Sequence, residues 1–134
     1  MNLRDTNLPI PDVQSLADHR QIAIDRVGIR GLRHPARVLC AGGAVLPTIA
    51  VYDMAVRLPE HQKGTHMSRF VELVESHPEP LSAAAMPALL KDMLARLNAS
   101  AGRIVVRFPF FIEKRAPISG VVSTLDYDVE LSAE

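Results

Sequence analysis

SHPEPL, residues 76–81, is all that separates two helical patterns, and it leaves no room for a strand between them. Upstream, Met67, Phe70, Val71 and Val74 follow the i, i+3, i+4, i+7 spacing of one buried helical face. Downstream, Met86, Leu89, Leu90, Met93, Leu94 and Leu97 make a second apolar stripe. Pro78 and Pro80 end the first helix, because proline supplies no amide hydrogen and its ring crowds the preceding turn. The second helix starts between Ser82 and Met86, and Pro87 fits its first turn, where that hydrogen has no partner anyway. Two helices in direct succession rule against a β-α-β-β-α-β ferredoxin-like arrangement.

Strand patterns flank the helix pair on both sides. Over residues 22–32, Ile22 and Ile24 alternate, then Val27 and Ile29 alternate, and the slip at Asp25 and Arg26 predicts a β-bulge there. Residues 33–47 hold Pro35, Gly42, Gly43 and Pro47 and predict a loop or irregular hairpin connection, with Val38 and Leu39 able to extend a strand into it. Over residues 48–58 the even positions are all apolar, from Ala50 to Leu58. A third strand spans Ile104, Val106, Phe108, Phe110 and Ile112, with Pro109 marking an edge, a bulge or an outward-facing nitrogen. After a turn at residues 114–120, Val121, Ser123, Leu125, Tyr127, Val129 and Leu131 share one face of a fourth strand. The order is β-β-α-α-β-β. Its simplest packing is an α+β fold with both helices on one face of a four-stranded antiparallel sheet. The other face keeps Ile49, Val51, Ala55, Val105 and Phe111, more apolar surface than water favours, which predicts that copies or partners close the sheet edge to edge.

The totals set outer bounds. At 134 residues the chain suits one domain, preceded by an extended arm over residues 1–20 that carries Pro9 and Pro11. Fifteen basic residues balance fifteen acidic ones, so no bulk field argues for nucleic acid or an anionic membrane. A hydrophobic content of 48% and a mean hydropathy of +0.10 exclude global disorder. Cys40 stands alone, which excludes an internal disulfide and a cysteine-rich zinc framework. With no signal-peptide pattern and no apolar run of membrane length, a soluble cytoplasmic protein is the expectation.

Polar groups are densest in KGTHMSRFVE, residues 63–72. Thr65 or Ser68 is the expected helix cap. Lys63 sits in the preceding turn, and i, i+3 spacing puts His66 and Arg69 on neighbouring surface. Free amide hydrogens and the positive end of the helix dipole suit a phosphate, with Gly64 permitting close backbone approach. The same residues also read as a capped helix start with solvated cations, and spacing leaves both readings open. Asp126, Asp128 and Glu130 share a strand face, as any solvated strand face also shows. Phe108, Phe110 and Phe111 offer rings for stacking a purine, although core packing is the simpler account. His19, His34, His61, His66 and His77 contain no pair at i, i+4 ligand spacing, so no metal site is expected within this chain.

These blocks also carry a resemblance. KGTHMSRFVE, PDVQSLADHRQIAIDRVGIRGLRHP (residues 11–35), FPFF (108–111), APISG (116–120) and LDYDVEL (125–131) are similar to the type IB GTP cyclohydrolase I family, also called FolE2. The resemblance implies a tunnelling fold (T-fold) unit over residues 21–134, of the β-β-α-α-β-β order already read from periodicity. It implies conversion of GTP and water to 7,8-dihydroneopterin triphosphate and formate, the entry to folate and pterin synthesis, with a divalent metal (Zn, Mn or Fe) in full-length members. It further implies that this chain matches the N-terminal one of two tandem units. The family's catalytic cysteine, in a Cys-Pro-Cys segment, and its metal ligands then lie beyond the point matched by Glu134. No catalytic or metal residue is carried onto this sequence, and Cys40 does not match the catalytic cysteine. The chain alone is expected to be inactive, with GTP and other T-fold units as partners. A non-catalytic T-fold module that binds a nucleotide or serves assembly is the alternative.

Overall fold

The computed structural model describes residues 26–62 and 64–134. The predicted arm, the strand start at Ile22 and Ile24, and Lys63 lie outside the described residues. Strands β1 (Val27–Leu39), β2 (Val45–Val56), β3 (Gly102–Arg115) and β4 (Val122–Ala133) form one antiparallel sheet in the order β1-β2-β3-β4. Helices α1 (Ser68–Ser76) and α2 (Met86–Arg96) intervene between β2 and β3. The β-β-α-α-β-β order predicted from the linker therefore holds, and it is consistent with a T-fold unit. Both helices pack on one face, α1 over β1 and α2 over β3 and β4.

The core forms where the two apolar patterns meet. Ala50, Tyr52, Met54 and Val56 of β2, and Ile104, Val106 and Phe108 of β3, are buried against Phe70, Leu73 and Val74 of α1 and Met86, Leu89 and Met93 of α2. On α1 the buried face is turned slightly from the expected one: Leu73 is sealed and Val71 half-exposed. The exit from α2 closes as a Schellman motif: Ala99 N–H donates to Leu94 O (2.9 Å), Asn98 N–H to Ala95 O (3.3 Å), and Asn98 takes φ 51°.

The bulge expected at Asp25 and Arg26 falls where the described residues begin, Asp25 lying outside them. Within the described strand a register shift falls between Ile29 and Leu32, where Arg30 and Gly31 together oppose Asp53. Gly31 supplies the left-handed turn of chain, φ 71°, that this geometry needs. One expectation is corrected: residues 33–47 are mostly strand. Only Cys40 to Ala44 turn the chain, through a 3-10 turn at Ala41–Gly43.

Prolines are tolerated in these strands because each aims its nitrogen away from a paired neighbour. Arg37 O and Leu39 N–H point outward to Leu81, at 2.7 and 2.9 Å, so Pro35, at the same parity, also faces the outer edge. Leu81, the last residue of SHPEPL, thereby covers part of that edge with a single parallel bridge to Val38. Pro47 and Pro109 sit where β2 and β3 have parted. Those strands pair only from Val51↔Arg107 to Val56↔Gly102. Beyond that seam a cleft of about 290 Å³ opens between them, lined by Leu46, Ile49, Phe110 and Phe111 and spanned by the Thr48 hydroxyl, which donates to Pro109 O at 3.3 Å.

Candidate functional site

The start of α1 is built without a side-chain cap. Met67 occupies the capping position in helical conformation, Thr65 is buried at 4% exposure, and Ser68 is already the first helical residue. Neither Thr65 nor Ser68 caps, which corrects the expectation; Thr65 is drawn inward as the chain turns from β2 into the helix. The first amide hydrogens to close on the chain are those of Arg69 on His66 O and Phe70 on Met67 O, both at 3.1 Å. The first turn carries no acidic residue. No carboxylate of the helix's own first turn balances the positive end of its dipole.

Of the three predicted site residues, the structure describes two. His66 is half-buried in the turn before α1. Arg69 is exposed, and its Nη1 donates to Arg96 O at 3.2 Å. That bond ties the start of α1 to the last turn of α2, where carbonyl ends carry partial negative charge. Arg96 in turn meets Asp92 at 3.0 Å, an i, i+4 pair. Arg69 therefore has a structural task alongside any ligand it meets. Lys63 lies outside the described residues.

A second polar cluster escaped the sequence reading. On the face opposite the helices, Arg107 of β3 donates to Asp53 of β2 (2.7 Å) and to Glu130 of β4 (3.0 Å), while Asp53 accepts from Gly31 N–H of β1 (2.8 Å). One chain of charge-assisted bonds crosses all four strands. The hydrogen bond from Arg107, then that from the Gly31 amide, hold the Asp53 carboxyl below its ordinary range. Asp53 and Glu130 raise the Arg107 guanidinium still further. A carboxylate so occupied is a strut and a poor proton acceptor near neutral pH. Its sequence signal was the pattern Asp53, Arg107 and Glu130 on one sheet face, legible only once the β2–β3–β4 register is known.

The other candidates take structural places. Phe108 is buried, Phe110 packs against the core, and Phe111 stands 59% exposed on the opposite face. Of the acidic strand residues, Glu130 is paired to Arg107, and Asp126 and Asp128 are exposed. Cys40 is half-buried in the β1–β2 turn, with Cys40 N–H donating to Ala44 O at 2.7 Å. Among the described residues no three His, Cys, Asp or Glu side chains converge as a metal-binding group. The described part of the chain therefore does not fit the divalent metal that the resemblance implies, and no chemical step is derived through one. No helix among the described residues is long and apolar enough to cross a membrane.

Comparison with known proteins converges on one family. The sequence profile described as "Type I GTP cyclohydrolase folE2" matches residues 10–134. A GTP cyclohydrolase FolE2 of Methylococcus capsulatus is 53% identical over 132 residues, which is 98% of this chain and 49% of that protein. GTP cyclohydrolases FolE2 of Burkholderia multivorans and Burkholderia ambifaria are each 52% identical over 134 residues, all of this chain and 50% of theirs. The chain spans about half the length of the curated relatives it matches.

Proposed function

This chain belongs to the FolE2 family of type I GTP cyclohydrolases, and from that premise we propose that it forms one T-fold part of an enzyme converting GTP and water to 7,8-dihydroneopterin triphosphate and formate. Its own contribution is the scaffold and a share of the substrate site, with the start of α1 receiving the triphosphate. One observation carries that assignment: α1 opens with no side-chain cap and no acid in its first turn, at the residues His66 and Arg69. Amide hydrogens and the positive end of a helix dipole suit a phosphate, and Lys63 completes the proposed set. The catalytic thiol and the metal (Zn, Mn or Fe) come from other parts of the complete enzyme, so this chain alone does not turn GTP over. Its place is the cytoplasm, where GTP is available.

Further T-fold units, either copies or the remaining half, are the proposed partners. The exposed apolar residues Ile49, Phe111, Val122 and Tyr127 support this. So does charge: β1 carries Arg30, Arg33 and Arg37 at one edge of the sheet, and β4 carries Asp126, Asp128 and Glu130 at the other. Opposite charges on opposite edges favour head-to-tail joining. The same features also suit the alternative, a non-catalytic T-fold module for nucleotide binding or assembly.

Titration with GTP, inorganic triphosphate and guanosine tests the start of α1 as the phosphate site. GTP and triphosphate compete for one site, guanosine does not, and Arg69→Ala weakens both by roughly tenfold or more, as loss of one charge-assisted contact does. Thermal unfolding of Arg69→Ala reads its bond to Arg96 separately. Equal binding of guanosine and GTP, or unchanged affinity in the variant, removes α1 from the site. Formate release by the chain alone with manganese or zinc would place the catalytic groups within it.

A further inference from the structure

A cavity of about 410 Å³ opens between the C-terminal end of α1 and the β1 side of the sheet, lined by residues other than those at the start of α1. Val74, Leu81 and Leu89 make its apolar walls, and Tyr52, His34, Glu75 and Glu79 are among its polar lining. The volume lies at the small end of ligand pockets, about 300–1,000 Å³. Tyr52 is 5% exposed, and its hydroxyl makes no hydrogen bond to any described residue. Tyr52 lines the cavity, and its oxygen is not among the fully sealed, unpartnered side-chain atoms of the described residues. Burial raises its pKa, so it remains an O–H.

The rest of the lining is rich in acceptors. Glu75 and Glu79 stand exposed at the rim. α1 ends here with no basic residue in its last turn, so its carbonyl end adds partial negative charge. His34 Nδ1 lies 2.8 Å from Pro35 O; a carbonyl only accepts, so Nδ1 donates there, and His77 also lines the cavity. Arg37, the one arginine or lysine in the lining, is engaged by Pro78 O at 2.8 Å. Among the described residues no three ligating side chains converge, and Glu75 and Glu79 border a space of molecular size instead of focusing on an ion.

We propose that this cavity binds a small organic cation, an amine or amidine carried on an apolar ring. The ring fills the space beside Val74 and Leu89, the N–H donors meet Glu75, Glu79 and the α1 terminus, and the ligand satisfies the Tyr52 hydroxyl. Benzamidine is the probe, and benzoate, the same ring with opposite charge, is the control. The chain has two tyrosines, Tyr52 and Tyr127, and Tyr127 is on the exposed β3–β4 hairpin, so fluorotyrosine labelling provides one reporter in the cavity and one outside it. Benzamidine should move the Tyr52 fluorine resonance saturably while benzoate does not, with Tyr52→Phe assigning the signal. By calorimetry Tyr52→Phe, which keeps the ring and the fold, should weaken benzamidine about three- to tenfold. Joint replacement of the exposed pair, Glu75→Gln with Glu79→Gln, should weaken it about two- to fivefold. No saturable shift at Tyr52, equal shifts at both tyrosines, or equal binding of benzoate overturns the proposal. GTP titration of the same sample tests the start of α1 separately.

Discussion

At the end of the sheet beneath the helices, β2 and β3 pair over six positions and every inward residue from Ala50 to Val56 on β2 is buried. At the other end the same strands separate, and the β3–β4 hairpin continues with no buried residue from Phe111 to Asp128. Both ends share the alternating apolar pattern. What differs is cover. Two helices of nine and eleven residues, rising 1.5 Å per residue, cannot roof strands of twelve to fourteen residues that rise about 3.3 Å per residue. Apolar alternation marks a surface that wants covering, without saying whether the chain covers it itself.

Substitutions at the two ends should behave differently. Phe70→Ala removes a sealed ring beneath α1 and should cost about 3–5 kcal/mol in urea unfolding; a cost below about 1 kcal/mol would mean that the covered end is no core. Gly102→Ala attacks the seam itself, since a methyl group there would lie 2.7 Å from Ala55 O and 2.9 Å from Met93 Cε. It should cost about 1–3 kcal/mol. Asp53→Asn tests the strut on the open face. The folded-state pKa of Asp53 is depressed, so its stabilisation is complete above the ordinary value of 3.8 and is lost as pH falls through the depressed one. Wild type should exceed Asp53→Asn in urea midpoint at about pH 7, and the gap should close in strong acid. A gap independent of pH would mean that the carboxylate is not paired. Phe111→Ser, on the uncovered hairpin, should leave the stability of the isolated chain within about 0.5 kcal/mol. In sedimentation at high concentration it should weaken self-association, and unaltered association would remove that hairpin from the interface.

Much of the site was open to reading and part of it was not. KGTHMSRFVE marked the start of α1 because a composition shift and a change of period fall together there. The absent cap was not legible, since Thr65 has the right chemistry and is simply carried into the core. Nor was the bond from Arg69 to Arg96, whose partners are separated by 27 positions and meet only when two helices pack side by side. The β1 bulge did leave a trace, the three-residue step from Ile29 to Leu32 across Gly31.

The sequence by itself determined the element order, because periods of two and 3.6 and the prolines of SHPEPL are local properties of a chain. It determined the family too, through motifs. Tertiary structure decided which prolines a strand tolerates, which acidic residues are paired, and how much of the sheet the helices cover. Pro35 and Pro47 read as loop residues, and Pro109 as an edge, a bulge or an outward-facing nitrogen, until the sheet shows that each nitrogen faces an unpaired side. Arg107 reads as a solvated cation until β2 and β4 bring Asp53 and Glu130 to it. Register and cover are relations between distant segments, and no local pattern encodes them.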